Sequence, residues 1–341
     1  MRIFNRAPLM AAIAAATLAA SLAGCGARDD NSSGSESSEA APCEGSSTAD
    51  AADPTKLTLA LVPSGDAGKL VETVKPLQDA LTQRLGIPVE GVITQDYQAA
   101  VEAIGADQAQ IGMLPPLQMV QACNKYGALP ALQTVRKDKT TYAAQFYTND
   151  PAKYCTDAPV AGANGLLYCN GTESGTGPAG LDSLSKMAGA KTVMLQSASS
   201  AGFVFPSAAL KAVGIDANSD LDLTQVTSHP AAVLAVNNGD DEVGVSFWDA
   251  RETVVTDTPD VAQNLVVFAL TNEIPNDGVS LSSNLSPEWQ QKISDALEDY
   301  ASTPAGVEAL TAIYQITGLD KADPTALQQA QTEANSIGLG G

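Results

Sequence analysis

The feature that most constrains the fold is an alternation that occurs twice. Short apolar runs of strand length are followed by stretches with helical spacing, the pattern of strands joined by helical crossovers. The first series opens with an apolar run over residues 57–62, broken by Pro63, Ser64, Gly65 and Asp66. A helix follows over about 67–85, with Leu70, Val74, Leu77, Ala80 and Leu81 at helical intervals. Strand 89–94, helix 97–104, strand 109–114, helix 117–126 and an alternating strand 142–147 come next. Residues 150–180 are Gly-rich and irregular. The second series reads as strand 191–195, a helix through 213, a strand near Val226, helix 231–237 and strands 243–247 and 265–270. Helices near 287–302, 304–316 and 324–336 complete the chain. The 341 residues exceed one ordinary core. The pattern therefore predicts two α/β lobes with a cleft between them, the chain returning to the first. Residues 56–145 with 270–341 make the first lobe and 146–269 the second, each a mainly parallel sheet flanked by helices.

The N-terminus carries an address. Arg2 and Arg6 precede an Ala-rich apolar run over 7–20, the charged and hydrophobic parts of an export signal. The run is short for a membrane span. Leu22, Ala23 and Gly24 then precede Cys25. Small residues before a cysteine resemble a bacterial lipobox, in which residues 1–24 are removed and the Cys25 thiol takes a diacylglycerol. An ordinary secretory signal with an incidental cysteine is the other reading. From 26 to about 55 the chain is rich in Ser, Ala, Asp and Glu, with almost no large apolar residue. It reads as a tether between the lipid on Cys25 and the folded body. This predicts an extracytoplasmic protein anchored to the cell membrane.

With Cys25 lipidated, Cys43, Cys123, Cys155 and Cys169 remain, an even number in an oxidising compartment. Cys155 and Cys169 flank an Asn164-Gly165 turn signal, so a disulfide should staple a hairpin there. Cys43 with Cys123 is the remaining pair and pins the tether to the body. The rival is a metal site, but the chain has no CxxC spacing and a single histidine, His229.

Charge limits the partners. The chain has 18 Lys+Arg against 39 Asp+Glu, a formal charge of −21. Such a surface repels phosphate backbones, so nucleic-acid binding is not expected. One histidine excludes every mechanism or metal site that needs two, and no cofactor is expected.

Several segments resemble, in order and spacing, the phosphonate/phosphite-binding subunits of ABC importers. They are Val62-Pro63-Ser64-Gly65-Asp66, Lys75-Pro76-Leu77, Gly86-Ile87-Pro88-Val89 and Asp96-Tyr97. Ser199-Ser200-Ala201-Gly202-Phe203 is similar to that family's Ser-Thr-Ser-Gly-aromatic loop, and Ser228-His229-Pro230-Ala231-Ala232-Val233 to its Ser-His-Asp-Ala-Ala-Val segment. The likeness covers about residues 57–320. It implies a two-lobed type II periplasmic-binding-protein fold that closes on a phosphorus oxyanion and hands it to a membrane permease, acting as a monomer. Two departures stand out: Ala201 replaces a serine and Pro230 an aspartate. The 150–180 insertion also looks long for the family.

The site residues follow from chemistry and resemblance together. Ser199, Ser200, Ala201 and Gly202 lie where a strand turns into a helix, so amides and hydroxyls can cradle an anion. This needs no lysine or arginine. A plain helix cap reads equally well from Ser-Ser alone. His229 falls on the family's binding histidine, although a lone histidine is often only a satisfied core residue. Tyr97 and Tyr142 match its cleft tyrosines. Asp249 and Asp277 fall near its acidic positions, where a carboxylate pairs with a ligand ammonium or accepts from a P–OH group. The Pro275-Asn276-Asp277-Gly278 run also reads as a turn. Three rivals to a transport receptor remain: a ferric-iron binder using Tyr97, Tyr142, His229 and an aspartate; a hydrolase using Ser199 or Ser200 with His229 and Asp249; and a sensor or adhesin on the same fold. No Gly-x-Ser-x-Gly elbow supports the hydrolase, and a non-enzyme is expected.

Overall fold

The computed structural model describes residues 41–339. The leader over residues 1–24 and Cys25 lie outside the described residues. The chain first lays down β1 (Leu57–Leu61), β2 (Val89–Ile93), β3 (Ile111–Leu114) and β4 (Leu129–Val135). It then crosses to build β5 (Thr141–Thr148), β6 (Val160–Ala161), β7 (Leu167–Tyr168), β8 (Lys191–Leu195), β9 (Asp222–Val226), β10 (Val243–Phe247) and β11 (Val266–Pro275). It returns for β12 (Gly278–Leu281) and β13 (Gly318–Lys321). The first sheet has six strands in the order β13-β4-β12-β3-β1-β2, and the second has seven in the order β6-β7-β11-β5-β10-β8-β9. The two-lobed α/β expectation is borne out.

Local chemistry explains the element ends. β1 reads Leu-Thr-Leu-Ala-Leu and is mostly buried on both faces, as a central strand between helical layers must be. The Asp66 side chain accepts from the Lys69 amide and caps the helix Ala67–Thr73. One helix was expected over 67–85, but two form, the second being Lys75–Leu85 with Pro76 in its first turn. Pro76 has no N–H to continue the first helix, so the path breaks at Val74. Asp96 caps Tyr97–Gly105 and Ser228 caps His229–Asn237, which places Tyr97 and His229 each at the first position of a helix.

Two details of the expected architecture change. The sheets are mixed rather than mainly parallel: β1 pairs in parallel with β2 and β3, while β12 runs antiparallel to β3 and β4. In the second sheet β5 is antiparallel to both β10 and β11. The cause is the double crossing, since a strand that leaves a lobe and one that returns run in opposite senses. The crossings also move the boundaries. β5 and β11 lie wholly in the second sheet, so the chain passes between lobes near 136–140 and at 276–277, not at 145 and 270.

The crossings are tied to each other. Arg136 and Lys139 exchange backbone hydrogen bonds around Lys137 and Asp138, which both take left-handed φ values of 50° and 60°. The buried Asn276 donates through Nδ2 to the carbonyls of Thr134 (2.7 Å) and Lys139 (2.9 Å), while its own amide donates to Thr140 O. Pro275 to Gly278 is therefore an inter-lobe passage rather than a surface turn.

Each sheet has apolar layers on both sides. A further apolar cluster joins Leu117, Ala144, Phe205 and Ile274 with Ala330 and Ala334 of the C-terminal helix Pro324–Ser336, so that helix packs against elements of both lobes.

Both expected disulfides form, Cys43–Cys123 and Cys155–Cys169. The first acts with hydrogen bonds from Ser46 N to Gly127 O, Thr48 N to Leu285 O and Trp289 Nε1 to Asp53 Oδ1. Residues 43–53 are thus fixed to the first lobe, and the tether expected to run to residue 55 does not include them. The second disulfide staples the β6–β7 hairpin, whose turn includes Gly165 at φ 76°. The insertion continues to Gly175, where a Cβ would lie 2.5 Å from the Trp248 ring.

The Cys43–Cys123 link closes a loop with a sequence separation of 80. Replacing both cysteines by serine is expected to lower unfolding stability in urea by about 4 kcal/mol, as loop-closure entropy predicts. A change below about 1 kcal/mol would show that the other contacts of residues 43–53 suffice on their own.

Candidate functional site

The lobes enclose a cavity of about 610 Å³. From the first lobe come Ser64, Tyr97, Pro115 and Tyr314; from the second, Ser199, Ser200, Ala201, His229, Phe247 and Trp248. Arg136, Tyr142 and Asp277 line it where the chain crosses. The His229 amide donates to Ser64 O across the lobes at 3.2 Å, and Gln118 Nε2 donates to Ala198 O at 2.8 Å. Ion pairs Lys69–Asp257 and Lys137–Glu252 also join chain segments across the mouth, with exposed lysines of 72% and 50% accessibility. The cleft is closed.

The serine loop lies between β8 and the helix Phe205–Ala212, entered through a π-helical turn over Ser200–Val204. Ser199 Oγ accepts from the Gly202 amide at 3.1 Å. Gly202 therefore spends its N–H on the cap and does not line the cavity. Its lack of a side chain serves packing, since a Cβ there would lie 2.5 Å from Leu195 Cβ. The amides of Ser200 and Ala201, first in the helix, have no intrahelical acceptor. Ser200 Oγ is buried without a partner. Of the four loop residues, Ser199, Ser200 and Ala201 line the cavity as expected, and Gly202 supports them from behind.

His229 faces the same space. It is 4% exposed, its ring packs edge-on against Phe247 at 4.7 Å, and Nδ1 has no hydrogen-bond partner. Burial, and then the nearby Arg136 charge, pull its pKa down to about 3, so the ring is neutral in the closed form. The Tyr97 hydroxyl is also buried, beside the Ser199 side chain across the cleft, with no hydrogen bond of good geometry. Burial pushes the phenols of Tyr97, Tyr142 and Tyr314 upward, which keeps them protonated as donors. An unpartnered buried polar atom is costly, and four such atoms lie in this wall: Tyr97 Oη, Ser200 Oγ, His229 Nδ1 and Trp248 Nε1.

The two acidic candidates separate. Asp277 lines the cavity, but Arg136 Nη2 donates to its carboxylate at 2.6 Å. Asp249 does not line it. That residue is fully buried and holds the equally buried Arg251 by contacts to Nε and Nη2, with Tyr168 Oη donating at 2.7 Å and Gln145 Nε2 at 3.2 Å. Burial works against its charge, yet the Arg251 guanidinium holds its carboxyl below the usual value. Arg251 also donates to the carbonyls of Leu167 and Leu265. The pair knits the second lobe together, and no Ser-His-Asp relay forms because Asp249 is bonded elsewhere. Among the described residues, no group of three or more His, Cys, Asp or Glu is placed to hold a metal ion.

Arg136 is the residue that sequence reasoning missed. A grip without any cationic side chain was expected, yet the lining includes Arg136, Lys69, Lys137 and Lys139 beside Asp66, Asp257 and Asp277. Arg136 directly follows β4, a strand that Pro130 and the lack of clean alternation hid. The only available signal was the Arg136-Lys137-Asp138-Lys139 cluster, a local excess of cations in a strongly acidic chain.

Comparison with known proteins accords with this geometry. Residues 59–327 match the model of the periplasmic substrate-binding proteins of phosphonate ABC transporters. The chain belongs to that family. It is 25% identical over 233 residues to the phosphate-import protein PhnD of Mycolicibacterium smegmatis, spanning 65% of each chain. The fold is similar to that of the binding component of an ABC phosphonate transporter from Pseudomonas aeruginosa, with a TM-score of 0.68, 18% identity and coverage of 83% of this chain and 88% of that one. It is also similar to PhnD1 from Prochlorococcus marinus, solved with methylphosphonate, with a TM-score of 0.69, 14% identity and coverage of 84% and 100%.

His229 makes stability depend on pH in a defined direction. Below its ordinary value of 6.5 the unfolded chain takes a proton that the folded, closed form refuses until about pH 3. Its burial thus costs nothing above about 6.5 and progressively more between 6.5 and 3. Urea unfolding at pH 7 and pH 4 should show a smaller loss of stability for His229→Gln than for the unaltered protein. Equal losses would place the ring in water.

Proposed function

We propose that this family member is the extracytoplasmic receptor of an ABC importer and binds a small phosphorus oxyanion, a phosphonate, phosphite or phosphate, in the cleft between its lobes. The carrying observation is the convergence of buried polar atoms without a well-aligned partner on one closed cavity: Ser200 Oγ, Tyr97 Oη and His229 Nδ1. Each gains a partner when an oxyanion enters, and the free amides of Ser200 and Ala201 add their dipoles. The neutral imidazole donates from one nitrogen, and an adjoining anion draws its pKa upward again. Phe247, Trp248 and Tyr142 wall off the substituent on phosphorus.

The ligand docks first on the serine loop and His229 of the second lobe. Closure then brings Tyr97 and Ser64 over it. A ligand that touches both lobes binds the closed form more tightly, and this difference shifts the population. The permease reads the joined lobes. The lipid on Cys25 keeps the receptor at the membrane, and the receptor acts as a monomer. Among the described residues no helix is long and apolar enough to cross a membrane.

Calorimetry with methylphosphonate, phosphite, phosphate, 2-aminoethylphosphonate and sulfate tests the ligand class. At least one phosphorus oxyanion should bind, and Ser200→Ala or His229→Ala should weaken it by about 10- to 100-fold, the value of one hydrogen bond to a charged group. Affinity unchanged in both variants removes them from the site. In a bacterial host supplied with labelled fatty acid, the full chain should carry label in the membrane fraction, and Cys25→Ser should carry none. A labelled Cys25→Ser chain would defeat the lipid assignment.

A further inference from the structure

We propose that Arg136 makes this cleft selective for phosphorus oxyanions that carry no ammonium group. The inference deepens the functional reading above and rests on it. A zwitterionic phosphonate brings a cation as well as an anion into a closed cavity. A desolvated ammonium needs a carboxylate that is free to face it.

The lining holds three carboxylates, and each is committed or outside the enclosed space. Asp66 is exposed and caps the helix Ala67–Thr73 through the Lys69 amide. Asp257 is 75% exposed at the mouth and pairs with Lys69. Asp277 alone is deep, at 20% side-chain exposure, and Arg136 Nη2 holds it at 2.6 Å.

The arginine is also fixed in place. Its Nε donates to Tyr314 O at 2.9 Å, and its own exposure is 18%. Two sides of the guanidinium are therefore used by the protein, while Nη1 has no partner among the described residues. The cation stands against the only deep carboxylate and adds a donor beside the phenols of Tyr97, Tyr142 and Tyr314. An ammonium in this position meets a neutralised carboxylate and a like charge, whereas a second anionic oxygen meets a donor. Lys137 and Lys139 do not substitute for it, because Lys137 pairs with Glu252 and Lys139 donates to Thr176 Oγ1.

A purely structural role for Arg136, tying the two inter-lobe passages, predicts weaker folding but no change in preference between ligands. The test is therefore a ratio. Calorimetry at one pH and salt concentration compares methylphosphonate with 2-aminoethylphosphonate on the unaltered protein, Arg136→Gln and Arg136→Lys. The unaltered protein should favour methylphosphonate by about tenfold or more. Arg136→Lys, which keeps the charge, should retain that preference. Arg136→Gln, which frees Asp277, should bring 2-aminoethylphosphonate level with methylphosphonate or ahead of it. Tighter binding of 2-aminoethylphosphonate by the unaltered protein overturns the inference alone, as does an undiminished preference in Arg136→Gln. Should Arg136→Gln fail to fold, the ratios of the other two proteins decide. If the unaltered protein binds neither probe, nor phosphite or phosphate, the functional reading fails and takes this inference with it.

Discussion

The architecture depends on one constraint: the chain passes between lobes twice, side by side, with both passages satisfied by the protein itself. Buried backbone groups at a lobe junction have to be paired, and here Asn276 supplies two donors to the opposite passage. Gln133 adds a third between the passages, from Nε2 to Asn276 O. Because the passages are short, a tight turn between β4 and β5 and two residues between β11 and β12, the residues on them are placed accurately with respect to both sheets. Arg136 and Asp277 sit one on each passage, so a single ion pair belongs at once to the junction and to the cavity wall. A buried pair of this kind contributes little net stability, because desolvation offsets the attraction. Its value lies in fixing where charge stands.

Around that floor the cleft is built from groups that lack partners. An orphaned buried hydroxyl or ring nitrogen costs about 1–3 kcal/mol. Tyr97, Ser200 and His229 leave three such atoms in the closed form. That cost favours an open, wetted cleft when no ligand is present, and a ligand that satisfies all three reverses the balance. Water-filled opening and ligand-filled closing are thus two ways of meeting the same hydrogen-bond demand. The depressed pKa of His229 belongs to the same account, since burial, and then the Arg136 charge, disfavour its protonated form.

Much of this was legible in the sequence because it was written in local signals. The helix read over 97–104 put Tyr97 at a helix start, the Ser228-His229 segment singled out His229 although its helix was read from 231, and both residues line the cavity. The cysteine count and the Asn164-Gly165 turn gave both disulfides. What stayed hidden depended on distant pairing. Leu-Pro-Ala-Leu-Gln-Thr-Val over β4 has neither clean alternation nor a turn signal, so its partners β12 and β13 were lost with it. Without β4, nothing marked Arg136 as a residue at a junction. Asp249 was misplaced for the opposite reason. Arg251 stands only two residues away in sequence, but a fully buried carboxylate–guanidinium pair is a tertiary event that spacing does not announce.

The C-terminal helix Pro324–Ser336 has a mechanical consequence. Leu327 packs in the first lobe's apolar layer, while Ala330 and Ala334 join the cluster that includes Phe205 and Ile274 of the second. Two adjoining passages alone form a hinge that permits a wide swing. A third strut, not covalently part of that hinge, limits the swing to what small alanine side chains can slide across. The jaw should therefore open by a narrow angle.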